Sequence, residues 1–135
     1  MPTEKPFLAG NLRIRWLWLV FGWLLILFVV YQSLTPVPLE LEFEQGDKIS
    51  HVVAYLVLMI WFANLYHSLG QRVCLALGFL VLGITLEFLQ HWTGYGSFEI
   101  ADMAAGAVGI AIGWIAAPPR TPNFLSAAEK FWQAR

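Results

Sequence analysis

The chain has 135 residues, of which 59% are hydrophobic and 13% charged, with a net charge near −1. A soluble domain carries about 25% charged residues, and a fold this small has too little interior to hide so much apolar surface, so a water-soluble globule is excluded and lipid surroundings are expected. Near-neutral charge gives no electrostatic footprint for nucleic acid, and a single cysteine, Cys74, rules out an intramolecular disulfide.

Residues 1–12 form a short polar tail with Pro2 and Pro6, too small to fold. Four apolar runs follow, at 16–34, 49–66, 73–90 and 100–117. Each approaches the ~20 residues that a helix needs to cross a bilayer core. The expectation is therefore all-α: a polytopic membrane protein with four transmembrane helices over 13–117, then a cytoplasmic tail over 118–135. The first run is too long for a signal-peptide core and lacks a small-residue cleavage site after it, so it reads as a retained anchor. Its Trp16 and Trp18 suit an interfacial aromatic belt.

Seven of the eight Lys and Arg fall on one side of this topology, and only Lys48 on the other. The positive-inside rule then puts both termini in the cytoplasm and turns the connections 35–48 and 91–99 outward. The first of these opens with Pro36 and Pro38 and alternates Leu39, Leu41 and Phe43 with Glu40, Glu42 and Glu44, as a segment lying along the interface would. Asp47 is placed to cap the second helix. In the short link to the third, Gly70 suits a helix C-cap, His67 an interfacial position without a role, and Asn64 an interhelical hydrogen bond.

Ionisable residues inside apolar runs are few. Asp47, His51 and Tyr55 fall at i, i+4 and i+8, on one helical face. Glu87 lies about a turn from the outer end of the third run, with Gln90 and His91 extending its face, and Asp102 lies just inside the fourth. An acidic side chain in a membrane helix costs roughly 3 kcal/mol, which pairing with His51 or uptake of a proton would relieve. Glu99 is explained by the helix dipole alone. Gly106, Gly109 and Gly113 form a small-residue stripe on the fourth helix, suited to packing within the bundle or to a homodimer seam through Gly109 and Gly113. Past Pro118 and Pro119, Ser126 and Glu129 have capping-box spacing, and Phe124, Leu125, Phe131 and Trp132 with Lys130 suggest a short amphipathic helix on the inner leaflet.

The order Asp47-Lys48-x-x-His51-x-x-x-Tyr55, Glu87-x-x-Gln90, then Asp102 followed by glycines across four short apolar runs resembles the VanZ-like family of bacterial membrane proteins. The likeness covers residues 15–117. It implies a multi-pass protein of the bacterial inner membrane and a cell-envelope role related to low-level antibiotic resistance against teicoplanin. Where the family commonly has an Arg and an Asn flanking the last Asp, this chain has Gly96 and Gly106, which removes the obvious phosphate fork.

Four readings of the polar set stay open. Asp47, Lys48, His51, Tyr55, Glu87, Gln90 and Asp102 would bind membrane lipids, a lipid-linked envelope precursor or a lipidated glycopeptide. His51, Glu87 and Asp102 would alternatively act as acid and base in an intramembrane enzyme working on a lipid head group. Nucleophile-elbow and zincin motifs are absent, as is any cofactor motif, so that chemistry would not be covalent. A third reading is purely structural pairing of His51 with Glu87. The fourth, a metal held by Asp47, His51, Glu87 and Asp102, has suitable ligand types but one helix-borne His and no tight spacing, so no metal is assigned from sequence.

Overall fold

The computed structural model describes residues 14–35, 46–94, 99–118 and 122–133. The N-terminal tail, the segment with Pro36 to Glu44, and Gly96 therefore lie outside the described residues. Among the described residues the chain is wholly helical: α1 (Arg15–Leu34), α2 (Gly46–Ala63), α3 (Leu69–Thr93), α4 (Ile100–Ile115) and α5 (Phe124–Gln133).

By length and composition, α1 and α3 are the two helices long and apolar enough to cross a membrane. Of the other two apolar runs, the second gives an 18-residue helix that starts and stops earlier than expected, and the fourth a shorter one. α2 stops at Ala63, where the Asn64 side-chain amide turns back to the Ile60 carbonyl at 2.7 Å and competes with helix propagation. α4 spans 16 residues. α3 is longer than expected because it begins at Leu69. Ser68 caps it by accepting from Gln71 N at 3.1 Å, and the Gln71 side chain accepts from Ser68 N in return. Gly70 consequently sits in the first turn of α3 and not at the end of α2. The C-cap of α3 is Gly94, at φ 80, a left-handed conformation that glycine adopts without strain.

α2 is the hub, and its most extensive partner is α4. The glycine stripe explains this. A Cβ on Gly109 would meet the Val52 carbonyl oxygen and stand 3.0 Å from its carbon, and one on Gly113 would lie 2.8 Å from Leu56 O. The two backbones touch only because both positions lack a side chain. This is the packing within the bundle expected from the sequence. A homodimer seam through Gly109 and Gly113 would first have to displace α2. On α1, Gly22 instead makes room for the rings of Phe62 and Trp61.

The core is Tyr55, Leu58, Met59, Phe62, Leu65, Phe79 and Ile110, closed at one end by Leu125. Outside it lies a broad apolar exterior that includes Trp23, Leu27, Phe28, Leu77, Val81, Phe88 and Ile115.

α5 departs from the expected capping box. It starts at Phe124, with Asn123 as the cap whose Oδ1 accepts from Ser126 N at 3.0 Å, and Ser126 Oγ is buried without a partner. Glu129 is buried and accepts from Trp18 Nε1 at 2.6 Å. Trp18, expected as an interfacial anchor, is thus a clasp between α1 and α5. Phe131 and Trp132 remain exposed.

Candidate functional site

The amino-terminal turns of α2 and α4 and the carboxy-terminal turns of α3 meet at one end of the bundle. His51 comes from α2, Glu87 from α3 and Asp102 from the first turn of α4. One ligand-type atom from each of the three lies within 4.8 Å of the others. His51 Nε2 stands 3.6 Å from Glu87 Oε1, beyond hydrogen-bond range. Glu87 and Asp102 are 2% and 7% exposed, which is unusual for carboxylates. Charge is brought together here from three separate stretches of chain.

Two further groups complete the cluster. Lys48 Nζ bonds Glu99 Oε2 at 2.6 Å and Asp102 Oδ1 at 3.0 Å. Glu99 N donates to Glu87 Oε2 at 3.3 Å. Glu99, attributed to the helix dipole from sequence, is therefore part of the cluster through both its carboxylate and its backbone. Its position as the residue before α4 is the sequence signal for this, since a backbone N–H ahead of a helix seeks an acceptor.

Other expected members fall differently. Tyr55 is buried one turn below His51, and its ring fills the space left by Gly83 and Gly106, where added Cβ atoms would lie 3.2 Å from the Tyr55 hydroxyl and 3.3 Å from its ring. A side chain at position 106 would press on that ring. Gln90 faces away from the cluster, and its amide donates to Ser33 O at 2.7 Å, tying α3 to the end of α1. Asp47 lies in the first turn of α2, which starts one residue ahead of it; its side chain is outside the described residues. A cavity of about 60 Å³ adjoins the cluster, lined by His51, Asp102 and Tyr55 with Gly83 and Gly106. It has room for water molecules but not for a lipid head group.

The opposite end carries a different polar network. Arg72 is buried and donates to Tyr66 O at 3.0 Å and Ala63 O at 2.8 Å. Arg15 donates to Leu65 O at 2.6 Å and lies over the Tyr66 ring. Asn123 donates to Asn64 O, and Asn64 Oδ1 accepts from Phe124 N. Asn64, expected to make an interhelical bond, makes its contact with the start of α5. Burial pushes the His67 imidazole below its ordinary pKa, and the Arg72 and Arg15 charges add to this, while its bond to Asn64 O acts in the opposite sense.

No known protein family, curated protein or solved structure matches this chain.

Proposed function

We propose that the protein is a VanZ-like, four-pass protein of the bacterial inner membrane. Its cluster of His51, Glu87, Asp102, Lys48 and Glu99 binds the polar head of a lipid-linked envelope component or of a lipidated glycopeptide. α1 and α3 support the membrane reading by their length and apolarity. α2 and α4 complete the set as shorter spans. Sixteen helical residues reach about 24 Å against a core of roughly 30 Å, and the half-exposed Lys48 and Glu99 side chains would bring the polar boundary inward at that end. Both termini then lie in the cytoplasm, with the exposed Phe131 and Trp132 of α5 on the inner leaflet.

The observation that carries the binding reading is the convergence of three ionisable side chains, two of them carboxylates almost free of solvent, from α2, α3 and α4. Ionisable groups in membrane helices mark functional sites by default. The adjoining cavity is too small for a head group to enter. Contact would be made at the surface through Lys48 and Glu99, with the buried triad behind them.

Native mass spectrometry of the full chain in mild detergent tests this. Retained envelope lipid, released by His51→Ala, is the expected result, and a bare protein that takes up no lipid from added envelope extract overturns it. Lipid returned with an altered mass would favour an acid–base enzyme on the same residues.

A further inference from the structure

The spacing within the triad suits a ligand shell better than a set of direct hydrogen bonds. Two donors each about 2.1 Å from a tetrahedral zinc are about 3.4 Å apart. His51 Nε2 and Glu87 Oε1 stand at 3.6 Å, too far to bond each other and close to the separation of two ligands on one ion. The third ligand is near as well, because no pair in the triad exceeds 4.8 Å. Reaching ligand spacing from there takes about 1.4 Å, within the range of a rotamer adjustment. Elsewhere among the described residues, no other group of His, Cys, Asp and Glu converges in this way.

Charge points the same way. Among the described side chains, three carboxylates (Glu87, Glu99 and Asp102) face the single ammonium of Lys48, which already bonds two of them. Three carboxylates against one ammonium leave two negative charges, mostly in a desolvated setting where uncompensated charge is costly. One divalent cation neutralises them. The adjoining cavity, about 60 Å³ and lined by both His51 and Asp102, offers space for a water to complete the shell.

We propose that His51, Glu87 and Asp102 bind one first-row divalent cation, of the zinc or manganese class. One imidazole nitrogen with two carboxylates is a ligand set of that class, harder than a thiolate site and softer than an all-oxygen one. This departs from the sequence reading, which assigned no metal. It goes beyond head-group binding and stands without it. Lys48 acts as a competitor on Asp102, and its ammonium must yield part of that contact when the ion enters.

The test uses the full chain in detergent, stripped with chelator and titrated calorimetrically with Zn²⁺ and separately with Mn²⁺. One ion per chain is expected. His51→Ala, Glu87→Gln and Asp102→Asn should each weaken binding at least about tenfold. Gln90→Ala, at similar depth but bonded to Ser33 O, should bind like the wild type. Zn²⁺ or Mn²⁺ should also raise the wild-type unfolding midpoint, a readout that survives if a variant fails to fold. Wild-type protein that is helical by circular dichroism yet binds neither ion overturns the proposal. So does one-to-one binding that the three substitutions leave unchanged, or that Gln90→Ala abolishes equally.

Discussion

The two ends of the helical bundle treat polar side chains in opposite ways. At the α5 end, Arg15, Arg72 and Asn123 donate to the backbone oxygens of Leu65, Ala63, Tyr66 and Asn64, where α2 stops. A helix leaves its last carbonyls without intrahelical partners; Arg72 satisfies that of Ala63, and the other bonds go to carbonyls of the turn that follows α2. At the cluster end, His51, Glu87, Asp102, Lys48 and Glu99 face one another. The first arrangement is what a chain needs in order to close its helices. The second serves one helix terminus, through Glu99 N on Glu87, but nothing in that role calls for His51, Lys48 and Asp102 beside it, which marks it as the place to look for chemistry. If the cluster is the functional end as proposed, stability and function are divided between the ends, and substitutions can break that division.

The largest effect should come from the seam that joins them. In Gly109→Val the new side chain would be driven into the backbone of α2 at Val52, with no flexible side chain able to give way. Both ends should be lost together, as failure to accumulate in folded form in a membrane-fraction immunoblot. Next comes Arg72→Met, which removes the donors to Tyr66 O and Ala63 O and strands two carbonyls at a buried site. The expected cost is about 2–4 kcal/mol, read from a detergent-solubilised unfolding curve. A neutral result would mean that this end is not structural in the sense argued.

Much of this was legible in the sequence, for identifiable reasons. Helix period and charge scarcity pointed to His51, Glu87 and Asp102, and three helices do deliver them to one place. The glycine stripe signalled close approach, and α2 is the surface approached. What could not be read was direction at helix ends. Gln90 shares a face with Glu87 by spacing, yet α1 ends beside it and takes its amide at Ser33. Arg72 counted as a topology charge, because nothing in the sequence reveals that α2 stops at Ala63 and needs a donor. Trp18 looked like an anchor because Glu129, 111 residues away, is invisible to local pattern. Spacing along the chain says little about a metal site whose ligands would each come from a different helix, so the approach of His51, Glu87 and Asp102 to within 4.8 Å of one another could not be read from it.

Smaller changes sharpen the contrast. Asn123→Ala removes both the cap on Ser126 N and the bond to Asn64 O. A loss of about 1–2 kcal/mol should appear as earlier proteolytic release of α5, with binding at the cluster unchanged. Glu87→Gln should do the reverse. It keeps the shape and relieves repulsion between buried carboxylates, so stability should move by less than about 1 kcal/mol while cation binding falls. If Glu87→Gln proved as damaging to the fold as Arg72→Met, the two ends would not differ in kind.

The smallest effect is a dependence on pH at the α5 end. Burial and the Arg72 and Arg15 charges hold His67 below its ordinary pKa in the folded protein, so over the interval between the folded and unfolded values the unfolded chain binds more protons. Stability then rises with pH through that interval. The contribution is full above the unfolded value, near 6.5, and is lost as pH falls below it toward the depressed folded value. Acidification from pH 8 should therefore loosen the contact of His67 with Asn64 and Asn123 and raise proteolysis at the start of α5 before it affects the helices. His67→Gln should flatten that profile. A profile of the same steepness in the variant would show that His67 is not the acid-sensitive element at this end.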